Sequence, residues 1–68
     1  MTSDNQHDIF IASVYGTRAH INGKKRVPFH DKEFMKWLTS KIINKPVGTS
    51  VPLLKAWNNS WDARNLNT

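Results

Sequence analysis

Not one cysteine occurs in this chain of 68 residues, and no other feature narrows its folding options as far. A domain that short buries a small share of its surface and usually leans on disulfides, a metal, a partner or very tight packing. Without thiols, disulfides and thiolate zinc sites are excluded. His7, His20 and His30 match no metal-ligand spacing, so neither a metal nor a cofactor is expected. An aromatic core or self-association must then supply the stability. Three tryptophans and three phenylalanines suit the first, because each ring removes a large apolar area from water.

A hydrophobic share of 38% against 22% charged residues describes a folding chain rather than a disordered one. Residues 8–64 read as one domain, with a polar, disordered tail at 1–7 and a frayed end at 65–68. The longest apolar run is too short to span a bilayer, and no signal-peptide pattern opens the chain. Together with the missing cysteines, this gives a cytoplasmic expectation with no membrane partner.

Charge is the second constraint. The net value is +5, and eight of the ten Lys and Arg residues fall between Arg18 and Lys45, where the acids are Asp31 and Glu33. A basic segment of that density attracts polyanions, nucleic acid first among them.

Residues 8–15 (DIFIASVY) are β-branched and aromatic with apolar residues on both alternating faces, which reads as a strand covered on both sides. Asn22-Gly23 is the preferred pair for a two-residue type I′ turn, so residues 17–21 and 24–29 are expected to pair as a β-hairpin. That register sets Ile21 opposite Lys24, Ala19 opposite Arg26 and Arg18 opposite Val27. From Asp31 the period changes. Asp31 is a helix cap, Phe34, Leu38 and Ile42 recur every four residues, and Lys45-Pro46 stops the helix. A second helix starts at Thr49 or Ser50, with Leu53, Trp57 and Trp61 on one face. The expected fold is α+β: a small three-stranded antiparallel sheet with a basic β-hairpin, then two helices packed on one of its faces.

Arg18, His20, Lys24, Lys25 and Arg26 would line the hairpin ribbon, with Lys32 and Lys36 at the near end of the first helix adding phosphate contacts. A two-stranded ribbon fits the major groove of duplex DNA, where arginine can reach guanine and lysine can hold phosphates. Lysines on an edge strand also discourage aggregation, so the cluster has a structural explanation beside the functional one. Trp37, Trp57 and Trp61 could stack on bases, but their helical spacing beside leucines favours a core role. Trp61 with Arg64 one turn on would suit a protein interface. Asp31 and Glu33 are helix-start residues, and no nucleophile motif, phosphate loop or metal spacing accompanies them, so no catalysis is expected.

The strand, hairpin and helix order over residues 9–43, with the cluster Ile21-Asn22-Gly23-Lys24-Lys25-Arg26, resembles the three-stranded ribbon-plus-helix modules of integrase arm-binding domains and of a class of plant transcription factors. That resemblance implies DNA reading by the sheet. Size, charge and the lack of an enzyme motif also resemble the small accessory proteins of phages and mobile elements. The expected function is therefore nucleic-acid binding, duplex DNA foremost, in an accessory, regulatory or architectural role. The alternative is an inhibitor or adaptor that docks a basic and aromatic surface on an acidic patch or nucleic-acid channel of a larger host protein. Self-association is compatible with either.

Overall fold

In the computed structural model, which describes residues 3–46 and 48–66, the segment expected to form a strand is helical. Helix α1 runs Ser3–Ile21, a single 3-10 turn follows at Pro28–His30, and then come α2 (Lys32–Ile42) and α3 (Ser50–Leu66). No strand occurs among the described residues. The α+β expectation, its three-stranded sheet and its β-hairpin are therefore corrected to an all-α fold. With the sheet goes the topology on which the likeness to sheet-reading modules rested. Helix α1 takes in residues 3–7, and α3 continues through Asn65 and Leu66. Residues 1, 2, 67 and 68, parts of the expected tail and frayed end, lie outside the described residues.

Small side chains explain why a β-branched run is helical here. Ala12, Gly16 and Ala19 fall at i, i+4 and i+7, on one helix face, and all three are buried. As a strand they would be divided between two faces. On the helix they make a shallow trough into which α3 fits with Ala56, Trp57 and Ser60. The fit is close enough that a Cβ at Gly16 would collide with Ser60 Oγ and the Trp57 carbonyl oxygen. Ser60 Oγ donates to the Ser13 carbonyl at 2.7 Å, a hydrogen bond from one helix to the backbone of the other. Contacts advance together along the two helices, from Ser13–Ser60 to His20–Asn65, so α1 and α3 are parallel.

Helix α2 runs antiparallel to α1, with Lys41 paired to Asp8 at one end and Lys24 to Asp31 at the other. Large rings separate these two. Tyr15 sits 5.7 Å from Phe34 and from Trp37, centroid to centroid, and Phe34 lies 6.1 Å from Trp57. Phe34, Leu38, Leu53 and Trp57 fill the centre. Asp31 caps α2 as the sequence predicts, accepting from the Phe34 amide at 3.2 Å. Helix α2 stops before Pro46, and α3 begins at Ser50.

The Asn22-Gly23 pair terminates α1 instead of reversing a ribbon. Gly23 adopts φ +76°. Its amide donates to the His20 carbonyl, and the Lys24 amide donates to the Ala19 carbonyl. Those two bonds are the Schellman closure of a helix. Glycine's tolerance of positive φ serves a type I′ turn and a helix C-terminus equally, so the local signal was sound while the element it served was different.

Candidate functional site

The segment expected to form a free basic ribbon is strapped across α3. Lys24 offers its carbonyl oxygen to the Trp61 indole N–H at 3.0 Å. Arg26 grips Asp62 through two bonds of 2.6 and 2.8 Å. This hydrogen-bonded pairing raises the Arg26 pKa and holds the Asp62 carboxyl below its ordinary value. Lys24 Nζ lies 3.5 Å from Asp31 Oδ1. His20 stacks edge-on against Trp61 at 4.8 Å, with Nε2 3.0 Å from Asn65 Oδ1. Of the five residues assigned to the ribbon, Arg18 and Lys25 are exposed with no ion pair among the described residues. Lys32 and Lys36 are exposed one turn apart on α2. Arg64 is exposed in the last turn of α3, while Trp61 is partly covered by its own contacts.

A different arrangement gathers charge and aromatic surface. A groove follows the seam between α1 and α2 because Tyr15, Phe34 and Trp37 hold the helices apart. His7, Asp8, Ser40, Lys41 and Lys45 line one end. Tyr15, Glu33, Lys36, Trp37 and Ser40 line the middle. Beyond them the groove narrows to a water-sized depression lined by Arg18, Asn22, Lys24, Asp31 and Glu33. Tyr15 and Trp37 are both partly exposed at the centre. Lys41 Nζ stands 6.0 Å from the Trp37 ring centroid and 3.6 Å from Asp8 Oδ1. Arg18, Lys36 and Lys45 line the groove without an ion pair among the described residues.

Arg18, Lys24 and Lys36 thus belong to the groove, whereas Lys25, Arg26 and His20 do not. Tyr15, Lys41 and Lys45 escaped the sequence reading. With residues 8–21 taken as helical, Tyr15 and Arg18 share a face at i, i+3, and Trp37 and Lys41 do so at i, i+4. No cluster of three or more metal-ligating side chains occurs among the described residues. Nor is any of their helices long and apolar enough to cross a membrane. Comparison with protein-family models, curated proteins and solved structures finds no match for the chain.

Proposed function

We propose that the protein is a small, non-enzymatic nucleic-acid-binding factor that holds a single strand in the groove between α1 and α2. The observation that carries this reading is the pairing of Tyr15 with Trp37 at the groove centre, with Lys36 beside them and Arg18 and Lys45 towards the two ends, none of the three in an ion pair among the described residues. Single-strand binders combine aromatic faces for bases with a cationic track for phosphates, and such sites start at about four nucleotides. The net charge of +5 supplies the long-range attraction. Duplex binding through a two-stranded ribbon has no counterpart among the described residues, whereas the groove suits a single strand. An accessory or regulatory role in the cytoplasm belongs to the same proposal.

Anisotropy of a labelled oligonucleotide, single-stranded and as a duplex, at about 50 and 200 mM salt tests it, since counterion release makes binding to phosphates steeply salt-dependent. The single strand should bind more tightly, and Lys36→Ala should flatten its salt slope by about 0.7. No binding to either form at low salt refutes the reading. A preference for duplex would count against single-strand binding in the groove. A protein interface at Trp61 and Arg64 has less support, because the Trp61 indole N–H is held by Lys24.

A further inference from the structure

Helix α1 turns Ala12, Gly16 and Ala19 inward, yet its opposite face is also apolar. Phe10 is 64% exposed, Val14 37% and Ile21 59%. With Thr17 between them, these positions are spaced four, three and four residues apart, the step pattern of a heptad seam. Phe10, Ser13, Val14, Thr17 and Arg18 form a shallow depression along it. Isolated exposed apolar side chains are ordinary, but a row of them over three helical turns marks an interaction surface.

We propose that this outer face of α1 docks an amphipathic helix of another protein whose flanking positions are acidic. The spacing argues for a helix, since a four-three-four row accepts knobs from a partner with the same period. Charge argues for acidity. Arg18 is the charged residue along the depression, and Asp8 of the same helix is paired with Lys41 on α2. A second copy would bring another net +5 against the first, which works against self-pairing. The apolar seam residues Phe10, Val14 and Ile21 lie outside the α1–α2 groove, and Arg18 borders both surfaces, so the seam substitutions test this inference apart from nucleic-acid binding.

The test uses the full chain and two labelled synthetic peptides of about three heptads, both with leucine and isoleucine at the seam. One carries glutamate at the flanking positions and the other lysine. The glutamate peptide should bind at least about tenfold more tightly than the lysine peptide, reflecting complementary charge. Phe10→Ser and Val14→Ser should each weaken it about tenfold or more, the usual scale for a central contact, with circular dichroism and melting temperature unchanged. Equal affinity for both peptides, or binding indifferent to the seam substitutions, overturns the proposal. So does light scattering that shows a dimer dissociated by Val14→Ser, or seam-dependent binding to anionic phospholipid vesicles in place of the peptide.

Discussion

Asp31 Oδ1 accepts from the Phe34 amide and faces Lys24 Nζ, while Oδ2 accepts from the Trp57 indole at 3.1 Å. One carboxylate, 4% exposed, therefore caps α2, ties it to α3 and anchors the loop after α1. Asp31→Ala should cost about 2–4 kcal/mol, combining a lost cap of about 1 with an orphaned buried donor of about 1–3. Asp31→Asn, which keeps a capping oxygen, should cost less, and urea denaturation would rank the two. Gly16 permits a prediction of sign. In an exposed helix glycine to alanine stabilises by about 1 kcal/mol. Here the new methyl meets Ser60 Oγ and the Trp57 carbonyl oxygen, so Gly16→Ala should destabilise by about 1–3 kcal/mol, the usual cost of overpacking. A rise in melting temperature would contradict so close an approach of α3 to Gly16.

At the scale of elements, the Asp31 cap, the amphipathic period of α2, the stop before Pro46 and the start at Ser50 were legible because each is a local signal. Helix α1 was not, since Ile9, Phe10, Ile11, Val14 and Tyr15 satisfy a two-sided strand as well as a helix with two apolar faces. What decides between them is non-local: the trough of Ala12, Gly16 and Ala19 has meaning only once α3 lies in it. The cations after α1 were misplaced for a related reason. Sequence shows that Arg26 is charged but not that Asp62, far along the chain, sits opposite it. This strap gives a pH dependence. The Asp62 carboxyl is held below its ordinary value of 3.8, first by the hydrogen bond from Arg26. Its contribution is present above that value and is lost as pH falls through the lower folded value. The pair is exposed, so the effect is small. Asp62→Asn should melt slightly below the unaltered protein near neutral pH, with the gap closing in strong acid. A gap independent of pH would show that the ion pair does not hold the strap.

For the molecule as a whole, the basic character and the aromatic core follow from composition. The position of the site does not, because it is created by packing. Small residues draw α3 onto α1, aromatic residues push α2 away from it, and the groove is the difference between the two spacings. Of the residues singled out in the sequence for nucleic-acid contact, Arg18 and Lys36 come to its edge with no ion pair among the described residues. Lys24 reaches it already paired to Asp31, and Arg26 is turned to α3. The central claim is that Tyr15 and Trp37 receive bases from a single strand. The direct measurement is amide and indole N–H chemical-shift mapping during titration with a short single-stranded oligonucleotide. The Trp37 indole and the amides around Tyr15, Arg18, Lys36 and Lys41 should move, while the Trp57 and Trp61 indoles, held by Asp31 and Lys24, stay in place. Shifts confined to residues 24–26 and α3, with the Trp37 indole unmoved, would contradict the account.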